Sequence, residues 1–172
     1  MSPPRDAPTP LEHGFSAPRR VGLVGPLPPP AGGMANQTRQ LAWLLREAGV
    51  EVELVRTNAP YRPAWIGRLR GVRALFRLLP YVRALWRCAG RVELLHVMAN
   101  SGWAWHLHAA PAVWIARLRG TPVIVNYRGG GAGAFLRAQA AWVRPTLRLA
   151  NCVAVPSGFL HNVFARYGIR TE

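Results

Sequence analysis

The chain has 172 residues, enough for one domain that buries a sizeable core of its own. Half of the residues are hydrophobic and 17% are charged, which is typical of a folded α/β domain and excludes general disorder. All 22 basic residues are arginine and only 7 acidic residues oppose them, so the formal net charge is +15. Such a surface attracts anionic lipid, polyphosphate or nucleic acid.

The first 19 residues are rich in proline and polar residues and lack the apolar core of a signal peptide. We therefore expect a disordered leader over residues 1–19 and one domain over 20–172. Arginines interrupt every long apolar stretch, which argues against a membrane span. Cys88 and Cys152 are isolated and have no metal-ligand spacing, so we expect a cytoplasmic protein without disulfides, metal or cofactor.

Short apolar runs alternate with longer helical patterns from Arg20 onward. The predicted strands cover residues 20–25, 50–55, 92–98, 121–126 and 152–155. The predicted helices cover residues 34–48, 65–87, 101–118, 132–149 and 157–167, and Gly49, Gly120 and Gly168 follow three of them. Pro80 and Pro111 are expected to break or kink two helices. This rhythm predicts a Rossmann-like parallel sheet with helices on both faces.

Ligands of such sheets bind beyond the carboxyl ends of the strands, which selects four loops, at residues 26–33, 98–102, 127–131 and 156–158. In the first loop, Gly32 and Gly33 stand at the mouth of a helix, where unpaired N–H groups and the helix dipole favour an anion. The spacing matches neither the dinucleotide fingerprint nor the P-loop. The alternative is an ordinary tight turn that needs glycine for a positive φ. Glu172 falls where another strand is expected, so we expect the chain to stop before the fold is complete.

The same loops carry a family resemblance. Three of them, with their flanking residues, read Gly25-Pro-Leu-Pro-Pro-Pro-Ala-Gly-Gly-Met34, Val123-Ile-Val-Asn-Tyr-Arg-Gly-Gly130 and Val155-Pro-Ser-Gly-Phe-Leu160, and the last is followed by Phe164-Ala-Arg-Tyr-Gly168. In order and spacing the chain from Arg20 onward resembles the N-terminal half of a glycosyltransferase family 4 enzyme of the GT-B fold. The resemblance implies that this domain holds a sugar, lipid-linked or small-molecule hydroxyl acceptor, while a second domain with a spaced glutamate pair binds the nucleotide-sugar donor. That second domain is absent from the sequence, so we expect the chain alone to be inactive or nearly so.

The resemblance also implies substrate-binding residues. Gly32, Gly33 and Met34 are expected near the donor phosphates and the acceptor. Arg128 stands near the point where family members often carry histidine. An arginine stays protonated and cannot act as a general base, but it can clamp a phosphate or stabilise negative charge, which makes it the candidate catalytic residue. The alternative is one surface arginine among many.

The remaining candidate substrate-binding residues are His96, Asn100, Asn126, Gly129, Gly130 and Ser157. A lone strand histidine such as His96 is more often a packed residue. Ser157 is equally suited to cap the following helix, which is worth about 1 kcal/mol. His106 and His108 are two residues apart and face different sides of a helix, so no metal pair is expected.

The segment from Arg62 to Arg91 holds eight arginines and no acid. At helical spacing Arg70, Arg73 and Arg77 form one stripe beside an apolar one, the pattern of a helix on an anionic membrane surface. The alternative is a core-packed crossover helix with a solvated basic face.

Two other classes of protein remain open. One is a non-catalytic basic module for anionic lipid or nucleic acid, although the chain shows no RNA-binding signature. The other is a dinucleotide-dependent oxidoreductase, which lacks the glycine fingerprint. We expect peripheral attachment at the inner face of the cytoplasmic membrane.

Overall fold

A computed structural model describes residues 17–60 and 73–172. Most of the expected leader and the first part of the basic segment, including Arg70, lie outside this range. In the described part, five strands form one parallel sheet in the order β2-β1-β3-β4-β5. The strands are β1 (Arg20–Gly25), β2 (Glu51–Arg56), β3 (Leu94–Ala99), β4 (Val123–Tyr127) and β5 (Cys152–Ala154). The predicted Rossmann-like α/β fold is confirmed, and the strand order changes direction between β1 and β3, where such sheets bind ligands.

The helices follow the predicted pattern closely. They are α1 (Gly33–Glu47), α2 (Arg73–Ala89), α3 (Ala110–Leu118), α4 (Ala132–Arg148) and α5 (Gly158–Ala165). Gly49, Gly120 and Gly168 end α1, α3 and α5 with φ of +81°, +70° and +64°, the left-handed conformation predicted for C-terminal glycines. No helix in residues 17–60 and 73–172 is long and apolar enough to cross a membrane.

Two prolines behave differently from the prediction. The helix α2 runs through Pro80 without a break. Pro111 lies in the first turn of α3. A π-helical turn, Trp105–Ala109, runs directly into α3, so the segment is not divided at the proline and instead departs from α geometry in the turn before it.

A strand-like pairing occurs beside β5, where the sequence predicts a further strand. Glu172 N–H donates to the carbonyl oxygen of Val153 at 2.9 Å, and Val155 N–H donates to that of Glu172 at 3.0 Å. This alternation is the hydrogen-bond pattern of parallel strands.

The two faces of the sheet carry different cores. Leu95 and Val97 of β3 point into the larger core, which α2, α3, α4 and α5 share. The smaller core beneath α1 contains Leu23, Ala42 and Met98. Because side chains alternate along a strand, His96 lies on the α1 face with Met98, and so does Asn126, which is the register partner of Met98.

Close packing brings α1 down onto β1. A Cβ atom at Gly25 would lie 2.7 Å from Oγ1 of the fully buried Thr38, so glycine is required for this approach. Thr38 Oγ1 in turn donates to the carbonyl oxygen of Met34 at 2.8 Å. The N-terminus of α1 is thereby held at the carboxyl edge of the sheet.

Candidate functional site

Two side chains hold the proline-rich loop between β1 and α1. Arg56 is the last residue of β2, and Asn58 follows that strand. Arg56 Nη2 donates to the carbonyl oxygens of Leu27 and Pro29 at 3.0 and 2.8 Å. Asn58 Oδ1 accepts from Leu27 N–H at 2.9 Å and from Arg56 Nε at 3.0 Å. Sequence reasoning missed this role of Arg56 and Asn58, because it depends on the adjacency of β1 and β2 and leaves no local motif.

The glycine pair opens the N-terminus of α1 to its surroundings. Gly32 is the N-cap residue in an extended conformation (φ −150°, ψ 161°), and no side chain caps the helix. The alternative of a positive-φ turn is therefore wrong, since neither Gly32 nor Gly33 has a positive φ. A Cβ atom at either position would meet no atom within 4 Å, so the space before the first-turn N–H groups is open. The half-buried Met34 side chain packs against the smaller core, while its backbone N–H lies in the first turn of α1.

Three candidate residues on β3 and β4 form one hydrogen-bonded chain. Arg128 Nε donates to Asn126 Oδ1 at 2.9 Å, and Asn126 Nδ2 donates to His96 Nε2 at 3.1 Å. Since His96 Nε2 accepts, its proton lies on Nδ1. The Arg128 backbone N–H also donates to the carbonyl oxygen of Ala99 at 2.9 Å, which ties the two strand ends together.

The surroundings of His96 keep its imidazole neutral. Burial, and after it the positive charge of Arg128, lower the pKa of His96 to about 4. Arg128 is exposed at the sheet edge, and within residues 17–60 and 73–172 it has no carboxylate partner. Its Nη groups are therefore available to an anion.

A second cluster gathers around Gly129. Ser101 Oγ and Tyr127 OH are hydrogen-bonded at 2.6 Å, and Ser101 N–H donates to Asn100 Oδ1 at 2.8 Å. A Cβ atom at Gly129 would lie 2.6, 2.8 and 2.9 Å from Asn100 Oδ1, Ser101 Oγ and Tyr127 OH. Glycine is thus required here by close approach rather than by φ. Tyr127 and Ser101 were not among the predicted candidates, although both lie in the predicted loops.

The other candidates stand apart from these clusters. Gly130 is exposed, and a Cβ atom there would meet nothing within 4 Å. Ser157 Oγ accepts from Leu160 N–H at 3.4 Å, so the predicted helix cap is present. His106 and His108 contact different partners, Gln139 and Tyr81, and the described residues contain no group of side chains suited to a metal.

Three glutamates, Glu51, Glu53 and Glu93, lie towards the other end of the sheet, where the strands begin. Glu51 and Glu53 of β2 pair with Arg20 and Arg91, and Glu93 accepts from the backbone N–H of Arg19. All of these groups are at or near the amino ends of the strands. The described parts of the loops at the carboxyl ends of β1, β2, β3 and β4 contain no acid, and Arg56 at the end of β2 and Arg128 after β4 place two arginines there. This edge is suited to an anionic ligand.

The outer face of α2 is apolar and basic. Phe76, Leu79 and Trp86 are exposed along it, with Arg83 and Arg87 beside them. Of the arginines predicted to face a membrane, Arg70 and the side chain of Arg73 lie outside the described residues. Arg77 is only half-exposed, and its charge is near enough to His108 to lower the pKa of that imidazole, second to the effect of burial.

A family model described as a glycosyl transferase 4-like domain matches residues 32–172, which include all the candidate site loops except the start of the first. No curated protein gives a significant match.

Proposed function

Because the chain belongs to the glycosyl transferase 4-like family, we propose that this domain holds a hydroxyl acceptor while a second domain presents a nucleotide-sugar donor. The observation that carries this proposal is Arg128, an exposed guanidinium without an acidic partner among the described residues, fixed through Nε by the neutral Asn126. A guanidinium held in this way can bind two oxygens of a phosphate group.

The proposed chemistry concerns the leaving group of the donor. When the bond between the sugar and the nucleoside diphosphate breaks, negative charge builds up on the diphosphate. Arg128 and the uncapped N–H groups at Gly32–Met34 stabilise that charge, since both present positive potential at the carboxyl edge. Neither group exchanges a proton with substrate, so the role is electrostatic and positional.

The acceptor is held by neutral groups. Asn100, Ser101 and Tyr127 offer amide and hydroxyl groups beside Gly129, and the neutral His96 keeps Asn126 in place. Such groups exchange hydrogen bonds with sugar or alcohol hydroxyls without the large desolvation penalty of a charge.

The acceptor is proposed to come from, or lie near, an anionic membrane. The support is the apolar and basic outer face of α2, with Phe76, Leu79 and Trp86 flanked by Arg83 and Arg87. Indole and phenyl rings partition into the head-group region while arginines bind anionic lipid.

The first experiment is to read the coding sequence beyond the codon for Glu172. An in-frame second α/β domain with two glutamates separated by seven residues supports the proposal, and the extended protein is then assayed for nucleoside diphosphate release from nucleotide-sugar donors. We expect Arg128→Gln to lower kcat/KM about 100-fold. Arg137→Gln, at an exposed arginine of α4, is the matched control. Equal activity of both variants would remove Arg128 from the mechanism, and binding of anionic vesicles without any transfer would favour a non-catalytic basic module.

A further inference from the structure

A groove of about 530 Å³ lies between α4 and the residues around the start of the π-helical turn. It is lined by Gly102, Trp103, His106, Ala138, Gln139 and Trp142. Its first residue follows Ser101 directly, and Ser101 belongs to the cluster around Gly129. The groove therefore begins one residue along the chain from the proposed acceptor site, and its volume is in the range of small-molecule sites, about 300–1,000 Å³.

Two tryptophans are the large apolar side chains of the groove. Trp103 and Trp142 are 78% and 79% exposed, the most exposed of the large apolar side chains that the structure describes. Single exposed apolar residues are common, but two indoles on one groove with polar groups between them are typical of a binding surface.

A polar pair joins the two walls. His106 Nε2 donates to Gln139 Oε1, and among the described residues His106 Nδ1 and the Gln139 amide nitrogen have no hydrogen-bond partner. Both residues lie where a helix departs from α geometry. His106 is in the π-helical turn, and Gln139 has non-helical backbone angles (φ −137°, ψ 15°) inside α4. Such π-turns are frequent at functional sites.

The groove is uncharged in a chain of net charge +15. None of its six lining residues is an arginine or an acid. An anionic lipid or a nucleic acid would be bound by arginines, which this chain places elsewhere. The ligand that fits is neutral, with an apolar face for each indole and hydroxyl groups for the His106–Gln139 pair.

We propose that the groove binds a neutral pyranose ring or short glycan of the acceptor, with a sugar face stacked on Trp103 and Trp142. A pyranose has both required surfaces, since its C–H groups form an apolar face and its hydroxyls project from the rim. The identification of this sugar as part of the acceptor rests on the proposed function. The reacting hydroxyl would then lie towards Ser101 and Asn100, and the groove would hold the sugar behind it.

The test uses four neutral trisaccharides as probes: maltotriose, cellotriose, chitotriose and mannotriose. The seven indole N–H signals of the ¹⁵N-labelled chain are assigned by single Trp→Phe variants. We expect at least one probe to shift the signals of Trp103 and Trp142 and to leave that of Trp43, an exposed tryptophan of α1, unchanged. Trp103→Ala and Trp142→Ala should each weaken binding at least about fivefold. Trp103→Phe should retain most of the affinity, and Trp43→Ala should have no effect.

Three outcomes would overturn the inference. The first is the absence of any shift up to about 20 mM probe, well above the dissociation constant of a weak millimolar complex. The second is a shift confined to the backbone amides around Gly129. The third is a shift of Trp103 and Trp142 with phosphatidylglycerol vesicles but with no trisaccharide. Binding around Gly129 alone would leave the acceptor role intact while removing the groove. Trisaccharide binding in the groove by a protein without transfer activity would support the site and contradict the proposed function.

Discussion

Asn126 determines how its two neighbours, Arg128 and His96, can behave, because its amide has a fixed polarity. Its oxygen accepts from Arg128 and its nitrogen donates to His96. An aspartate in this position would pair with Arg128 and cancel the charge that an anionic ligand needs. It would also require a proton on His96 Nε2. The amide orients the guanidinium and leaves its charge uncompensated, which is the property the proposed function uses.

The neutral state of His96 predicts a loss of stability in acid. Unfolded His96 gains a proton near pH 6.5, whereas the folded residue does so near pH 4, so the unfolded state binds more protons between these values. Stability should fall as pH drops from about 6.5 to about 4, by at most about 3 kcal/mol for this residue. The pKa of the half-buried His108 is also lowered, mainly by loss of solvation, and adds an effect of the same sign. In urea titrations at several pH values, His96→Leu should show a smaller loss than the wild type, and equal losses would contradict the prediction.

Gly129 and Gly130 give a matched pair of substitutions. Gly129→Ala should destabilise the protein by about 1–3 kcal/mol, because the new Cβ atom overlaps Asn100, Ser101 and the buried Tyr127. Gly130→Ala should be neutral or slightly stabilising, since its Cβ atom meets open space and its φ is not positive. Thermal unfolding of both variants checks this. Equal melting temperatures would mean that the loop moves freely away from the polar cluster.

The N-terminus of α1 has no side-chain cap, and a substitution that supplies one tests whether an anion binds there. Gly32→Asp should preserve or raise the melting temperature, because a carboxylate is a good N-cap and the space is open. It should also remove most transfer activity in the protein extended with its donor domain, because the carboxylate occupies the place proposed for a phosphate. Gly32→Ala, which adds no charge, is the control. An Asp variant with full activity would show that no anion binds there.

The sequence predicted the elements well where glycine and apolar periodicity mark them. β1 has the predicted bounds, and the ends of α1, α3 and α5 follow from Gly49, Gly120 and Gly168. The π-helical turn and the non-helical backbone angles of Gln139 were not predicted, since neither segment contains a glycine or proline at that point. The two segments meet through the His106–Gln139 pair, a contact between distant parts of the chain.

The same limit applies to the candidate site. The rule that ligands bind at the carboxyl ends of parallel strands selected four loops, and three predicted residues (His96, Asn126 and Arg128) form one hydrogen-bonded chain at this edge. The pairing of Ser101 with Tyr127 could not be predicted, because it depends on the register of β3 against β4. Whether these residues bind substrate stays a prediction.

The charges of the whole molecule are arranged unevenly. Glu51, Glu53 and Glu93 engage arginines or backbone at the amino edge of the sheet, while the carboxyl edge and the outer face of α2 have arginines without acidic partners among the described residues. With a formal net charge of +15, the chain should attract an anionic membrane or an anionic donor, and this attraction should weaken at high salt.

Vesicle binding separates general attraction from insertion by α2. The chain should sediment with phosphatidylglycerol vesicles and bind phosphatidylcholine weakly. Leu79→Glu should reduce phosphatidylglycerol binding about tenfold, because it removes an inserting side chain and adds repulsion from anionic head groups. Leu118→Glu on α3 is the control, since Leu79 and Leu118 are 60% and 72% exposed and the charge change is the same. If both variants lose binding equally, only the net charge acts and α2 has no special contact with the bilayer. If only Leu79→Glu loses binding, the outer face of α2 is the surface that contacts the bilayer.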